Sequence, residues 1–294
     1  MIDWRAFCKE WREKHPRTVA PEWSQYLTFA WPPLAWDGRP LPEVAVYDLE
    51  HQPTTYDFIC WLVIVKTLGA KHVHFVYEGK IQDWKYSAAQ AWKRFGNVIV
   101  PLAEMMGLPF TVGPKRYGFT VAYRWGHVES LYKTLGRIEK LPLVGEAHGH
   151  VTVTLRDTIK FQWKNSNRQA WERFAKHLEA SGEKVIFLDD SDATGVILEA
   201  RKRMELYSGA KVNLGGSGGP MSMCLFSEAP YLVMNLLPDD PQSMELAIEF
   251  MGHGFPPGSQ FSFRNDRQLL SWEPDYYENI VKEYGRHQPI AKAA

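Results

Sequence analysis

The chain has 294 residues, 45% of them hydrophobic and 14% aromatic, and its 34 Lys plus Arg balance 34 Asp plus Glu. That is enough apolar material for one large domain or two ordinary ones, and a formal net charge of zero supplies no global field for a polyanion, so nucleic acid is disfavoured as the main partner. Cys8, Cys60 and Cys224 lie far apart without a CxxC spacing and read as reduced, mostly buried thiols. The amino terminus, MIDWRAFCKEWREKHPRT, is too charged for a signal peptide, and the longest apolar run, Phe58 to Val65, is too short to span a bilayer; a soluble, cytoplasmic protein with no transmembrane segment is expected.

After a segment rich in Trp and Pro, EVAVYDLEH (Glu43 to His51) reads as a buried strand ending in polar residues. Thr54 or Thr55 can cap the next helix, which carries Phe58, Ile59, Leu62, Val63 and Lys66 at helical spacing and stops at Gly69; HVHFVYEG is then a strand, completing a β-α-β unit. Tyr86 to Phe95 reads as a second helix with Gly96 near its end, followed by the apolar and turn segments of NVIVPLAEMMGLPFTVG. GRIEKLPLVGEAHGH (Gly136 to His150) is punctuated by Gly and Pro and marks a boundary between residues 1–142 and 143–294. The alternation then restarts. VTVTLR (Val151 to Arg156) is a strand, Ser166 to Gly182 a helix capped by Ser166 or Asn167, and KVIFLDD a strand. A helix from about Ala193 to Tyr207 follows, then KVNLGG, a glycine loop, a helix from about Met221, and YLVMNLL. Glu273 to Asp275 can start a terminal helix with Tyr276, Ile280, Val281 and Tyr284 at helical spacing. The fold class is therefore α/β: two Rossmann-like domains facing across a cleft, with ligands expected at the carboxyl ends of the strands.

Within NLGGSGGPMSMCLF, the loop Gly215 to Met221 follows a strand and opens a helix, so backbone N–H groups and the helix's positive end can converge on an anion; Pro220 suits the first helical turn. A tight turn packed for its own sake fits the pattern equally well, and the loop is neither GxGxxG nor a P-loop. Arg156, at the carboxyl end of its strand, can hold a phosphate bidentately or pair with Asp157, Asp189 or Asp190. Asn165, Ser166 and Asn167 stand at a helix start, where capping explains them at least as well as binding. HVH (His72, His74) and HGH (His148, His150) have no third metal ligand at a recognisable spacing, and Asp189 and Asp190, being adjacent on a strand, face opposite sides; no metal site is expected.

The strand ending in Arg156, NSN before a helix, ELYSGAKVNLGGSGGPMSMCLFSEAPYLVMN and GSQFSFRNDRQLLSWEPDYYENIVKEY together resemble a family of GT-B-type glycosyltransferase-like proteins of bacterial surface-polysaccharide clusters and phages, distantly similar to heptosyltransferases and fucosyltransferases. The resemblance covers the second half, and the first half through YDLEHQPTTYDFICWLV and WKRFGNVIVPL. It implies that the second domain binds a nucleotide diphosphate sugar as donor substrate, with no separate cofactor, at a loop of the D-[ST]-G-P-M-H type. The matching residues are Ser217, Gly218, Gly219, Pro220 and Met221; no Asp precedes them, and Ser222 stands where His is usual. Arg156, Asn165 and Asn167 join that binding set. The first domain then receives a glycan or other hydroxyl acceptor, with Asp48, Glu50 and His51 as candidate catalytic residues, and the terminal helix crosses back onto it. A hexosyl- or pentosyltransferase is the expected activity. A nucleotide-sugar epimerase of the same architecture and a non-catalytic nucleotide- or glycan-binding protein are the alternatives.

Overall fold

Two sets of parallel strands, each interleaved with helices, account for the alternation in the sequence. The structure, a computed structural model, describes residues 28–29, 41–81, 86–121, 123–158, 162–191, 198–237 and 255–292. Cys8, the amino-terminal segment and residues 193–197 of an expected helix lie outside these. Among the described residues no helix is long and apolar enough to cross a membrane.

In the first half, β1 (Thr28–Phe29), β2 (Val44–Asp48), β3 (His72–Val76), β4 (Phe110–Gly113) and β5 (Thr120–Val121) are the strands. β2, β3 and β4 form a parallel sheet in that order, with Asp48 level with Val76 at its carboxyl edge. The helix α1 (Phe58–Thr67) is buried at every position but Lys66, which explains its continuous apolar run. It starts without a side-chain cap: Phe58 N–H donates to the Thr55 carbonyl at 3.1 Å, so a turn of backbone replaces the threonine hydroxyl expected from the sequence.

The next helix departs from expectation. α2 (Ala88–Arg94) begins at Ser87 with a capping box to Gln90, but the chain does not stop at Gly96; it passes through a π-helical turn, Phe95–Ile99, into α3 (Val100–Met105). Pro101 has no N–H to give the preceding turn, and a π turn just before it accommodates the missing bond. Phe95, Val98, Ile99 and Leu102 keep the apolar face buried throughout. Beyond β4, Gly118 crosses beside β2, where a Cβ would lie 2.4 Å from Val46 Cγ2 and 2.7 Å from the Val44 carbonyl oxygen; only glycine fits. β5 leads to α4 (Trp125–Leu135), closed by Gly136 at φ 69°.

The second half contains β6 (His150–Asp157), α5 (Arg168–Ala180), β7 (Val185–Ser191), α6 (Ala200–Gly209) and β8 (Ala210–Gly216). A 3-10 turn, Gly219–Met221, then leads into α7 (Ser222–Leu225), followed by β9 (Tyr231–Met234), β10 (Gln268–Leu270) and α8 (Tyr277–Lys292). Its five strands are parallel in the order β10-β9-β8-β6-β7. The fold is thus α/β with two parallel, Rossmann-like sheets and a separate two-stranded parallel pair, β1 with β5. The helix expected from Met221 is reduced to a 3-10 turn and the four residues of α7, because Ser227 and Pro230 turn the chain into β9 at once.

One apolar cluster includes Tyr47, Phe58 and Trp61 of the first half together with Tyr207, Met221, Cys224, Phe226 and Phe261 of the second. Burial pushes the Cys60 and Cys224 thiols well above their ordinary pKa. The terminal helix does not make the expected crossing its main packing: its strongest contacts are with α5 and β9, Ile280 and Tyr284 join the cluster of Trp171, Phe174 and Leu178, and the Tyr284 ring meets Phe174 edge-on at 5.2 Å. Its apolar stripe matches the stripe of α5. The segment before β10 reaches the first half instead. Glu129 on α4, 1% exposed, accepts from Ser262 N at 2.9 Å and Ser262 Oγ at 2.5 Å, and Phe261 and Phe263 meet Trp125 and Tyr132 edge-on.

Candidate functional site

The strand order of the second sheet fixes where its crevice lies. β6 comes first in the sequence and has β7 on one side and β8 on the other, so the connections after β6 and β8 leave the carboxyl edge in opposite directions. This is the switch point at which open α/β sheets bind ligands. Arg156 stands at the end of β6, and Gly216 ends β8.

Arg156 is held by its backbone: its N–H donates to Ser166 Oγ at 2.9 Å, and Ser166 N–H donates back to its carbonyl at 2.9 Å. Its guanidinium leans toward the glycine loop, with Nη1 donating to the Ser217 carbonyl at 3.4 Å. Ser217 Oγ donates to the Asn235 carbonyl at 2.8 Å, and Gly218 N–H turns back to the Gly216 carbonyl at 2.8 Å. Arg156, the loop and the end of β9 therefore form one connected rim.

The glycines have separate reasons. A Cβ on Gly215 would meet the Thr154 carbonyl oxygen at 2.7 Å, so this position is glycine for strand packing. A Cβ on Gly219 would meet Tyr56 Cβ at 3.2 Å, whereas one on Gly218 would make ordinary contact with Arg156 Cβ at 3.8 Å. Pro220 sits in the first turn as expected, and Met221 is fully buried. With α7 only four residues long, the helix dipole adds little; the guanidinium is the main positive charge here. Ser222 is buried and accepts from Trp125 Nε1 at 3.3 Å, so it serves the junction between the halves.

Asn165 and Asn167 are engaged with backbone. Asn165 Oδ1 accepts from Thr158 N at 2.8 Å while its Nδ2 donates to the Thr158 carbonyl at 3.1 Å, closing the loop after β6. Asn167 caps α5 by accepting from Ala170 N at 3.2 Å. Its own N–H donates to Asp275 Oδ2 at 2.8 Å, which also accepts from Trp171 Nε1 at 2.8 Å. Burial pushes the Asp275 carboxyl above its usual range, against the lowering effect of these two donors.

At the end of β2, Asp48 is buried and Glu50 N–H donates to its Oδ1 at 2.9 Å. Its Oδ2 lies 3.2 Å from His51 Nδ1, and the His51 side chain is 47% exposed. A carboxylate so placed orients the ring and leaves Nε2 as the basic nitrogen. Glu50 is only 4.0 Å from Lys80 at the surface. The same loop carries Tyr56, which packs on Gly219 and donates from its hydroxyl to the Leu198 carbonyl at 3.4 Å, so the two candidate sites share one connecting loop. Arg94 braces that loop through Nε to the Thr54 carbonyl at 2.9 Å.

Both ring nitrogens of His74 are hydrogen-bonded, to Thr111 Oγ1 and the Pro114 carbonyl, and His150 Nε2 donates to the Leu206 carbonyl. Among the described residues no three His, Cys, Asp or Glu side chains are grouped to hold a metal. Asp189 pairs with Arg168 at 2.9 Å. Three residues escaped sequence reasoning: Tyr56; Arg203, fully buried with its guanidinium 5.8 Å from the Tyr56 ring and 5.9 Å from the Tyr207 ring; and Asn235. Tyr56 and Asn235 lie inside the stretches that carry the resemblance but at positions given no role there, and Arg203 sits in the polar run ARKRMEL, which reads as a solvated face. No protein-family model matches the chain, and no curated protein matches it.

Proposed function

We propose that the protein is a metal-independent glycosyltransferase that binds a nucleotide diphosphate sugar at the carboxyl edge of the second sheet and passes the sugar to an acceptor hydroxyl held against the first. The observation that carries this reading is the placement of Arg156 and the Ser217 to Met221 loop on either side of the β6/β8 switch point, where an anionic group meets a positioned guanidinium. In the transfer, the bond from the acceptor oxygen to the anomeric carbon forms as the bond to the diphosphate oxygen breaks. Charge grows on the leaving diphosphate, and Arg156 opposes it. The acceptor proton passes to His51 Nε2, with Asp48 holding the imidazole through Nδ1. Glu50, at the mouth of the same loop, borders the acceptor.

The burial of Ser222, in place of the usual histidine, favours a second reading: a protein that binds the nucleotide without turnover. Incubation of the full chain with labelled UDP-, GDP- and ADP-sugars, followed by thermal-shift measurement with the free nucleoside diphosphates, separates the two. Release of nucleoside diphosphate supports the transferase, a shift without release supports the binder, and neither removes the site.

A further inference from the structure

Arg94, at the end of α2, is 8% exposed, and its guanidinium is held by two contacts. Nε donates to the Thr54 carbonyl at 2.9 Å, and Cζ stands over the Tyr86 ring, 4.3 Å from its centroid. Nη1 and Nη2 are left over. Neither has an acceptor among the described residues, and neither is one of the buried polar atoms that lack a partner, so this end of the side chain is open to a ligand. The carboxylates of the adjoining loop are engaged elsewhere: Asp48 with His51 at 3.2 Å, Glu50 with Lys80 at 4.0 Å, and Asp57 as acceptor from Thr55 Oγ1 at 3.2 Å. A guanidinium taken this far out of water without a counter-ion costs folding free energy. Bracing of the loop uses Nε alone, and a neutral amide would do that as well. Gln52 repeats the pattern two residues before Thr54. It is 7% exposed, and its Oε1 accepts from Asp48 N at 2.7 Å, which turns Nε2 the other way. Nε2 has no acceptor among the described residues and is likewise not shut off from solvent. The loop that carries His51 is thus bordered by open donors from two buried side chains.

The open end of Arg94 selects the chemistry of what it meets. With Nε taken, Nη1 and Nη2 present N–H bonds side by side, the fork that matches the paired oxygens of a carboxylate or phosphate. A neutral hydroxyl would take one N–H and leave the charge unmet. We propose that Nη1 and Nη2 of Arg94 form a second anion site, on the opposite half from Arg156, which holds a carboxylate or phosphate group of the acceptor. That the anion belongs to the acceptor rests on the transferase reading; the site itself stands on Arg94 and its surroundings.

The test follows the side chain directly. The full chain, isotope-labelled at its arginine nitrogens, is titrated with inorganic phosphate, acetate and glucose, and the Arg94 Nε–H signal is identified by its absence from Arg94→Lys. Phosphate or acetate moves that signal saturably, in the wild type and equally in Arg156→Ala, and glucose does not. Calorimetry then compares glucose 6-phosphate, glucuronate and glucose. The wild type binds a charged sugar roughly tenfold or more tightly than glucose, the scale of a charge-assisted hydrogen bond. Arg94→Gln, which can still donate to the Thr54 carbonyl, loses that preference, and Arg94→Lys, which keeps the charge without the fork, falls between the two. Tighter binding of glucuronate names a carboxylate, and of glucose 6-phosphate a phosphate. A signal that no anion moves overturns the inference, as does one that moves only while Arg156 is present. So does a wild type with no preference, or an equal preference in Arg94→Gln. An Arg94-dependent preference in a chain that releases no nucleoside diphosphate keeps the site and removes the transferase reading. Transfer to uncharged acceptors that Arg94→Gln leaves unchanged does the reverse.

Discussion

Tyr56 of the first half lies against Gly219 of the second so closely that a Cβ on the glycine would come within 3.2 Å of Tyr56 Cβ. Contact is tighter still at Gly215, where the obstacle is the Thr154 carbonyl at 2.7 Å, and relaxed at Gly218, where the nearest atom is 3.8 Å away. Alanine substitutions should rank in that order. Gly215→Ala should cost about 2 to 3 kcal/mol, since backbone must move, and Gly218→Ala well under about 1 kcal/mol. Thermal melts of the three variants check the ranking; equal losses would refute it.

Arg156→Ala should weaken binding of a nucleoside diphosphate by about 1.5 to 3 kcal/mol, the scale of a charge-assisted hydrogen bond, and leave binding of the free nucleoside nearly unchanged. Calorimetry with both ligands tests this. An equal loss for both would mean that Arg156 shapes the rim rather than holding phosphate.

If His51 takes the acceptor proton, His51→Ala should lower kcat by roughly a hundredfold or more, the usual worth of a general base. Asp48→Asn should lower it by less, because the amide still contacts the ring, and should alter the pH profile of kcat. Neither change should move the nucleotide dissociation constant. A variant with normal turnover would assign the Asp48–His51 pair to folding of the loop.

Turnover should survive EDTA. Asp189, of the adjacent carboxylate pair, is engaged by Arg168, and the proposed scheme assigns the leaving charge to Arg156. Activity lost on chelation and restored by manganese would contradict the scheme.

Asp275 supplies a pH prediction. Its folded pKa is raised by burial, so its contribution to stability is fully present below the ordinary value of 3.8 and is lost as pH rises through the folded pKa. Asp275→Asn keeps an acceptor for Asn167 N–H and Trp171 Nε1 without the charge, and should remove that fall from the stability curve. Asp275→Ala should destabilise by about 2 to 3 kcal/mol, because two buried donors lose their partner. Denaturant titration between pH 3 and 7 separates the variants.

Much of the frame was legible because burial writes itself into the sequence. The strand ending at Asp48, α1, β6 and α5 stand within a few residues of the expected bounds, since each carries an apolar pattern closed by a cap or a glycine. The passage through Gly96 was not legible: glycine normally ends a helix, but here the π turn and the buried Phe95, Val98 and Ile99 override it. The helix after Pro220 was overextended because MSMCLF is apolar on every side, and such a run fits any buried conformation. At the candidate site, the chain positions of Arg156 and the glycine loop were readable from strand ends. Asn235 and Tyr56 were not, because a left-handed backbone and a contact between distant segments leave no local pattern.

The Glu129–Ser262 pair has a consequence for biosynthesis. Its partners are separated by 133 residues, which a ribosome adds over roughly 7 to 27 s at about 5 to 20 residues per second. Throughout that interval the carboxylate on α4 has neither of its Ser262 donors, and Trp125 and Tyr132 lack the rings of Phe261 and Phe263. The first sheet therefore waits on the ribosome with an unfinished flank, and its closure is a late event set by the arrival of the carboxyl-terminal segment.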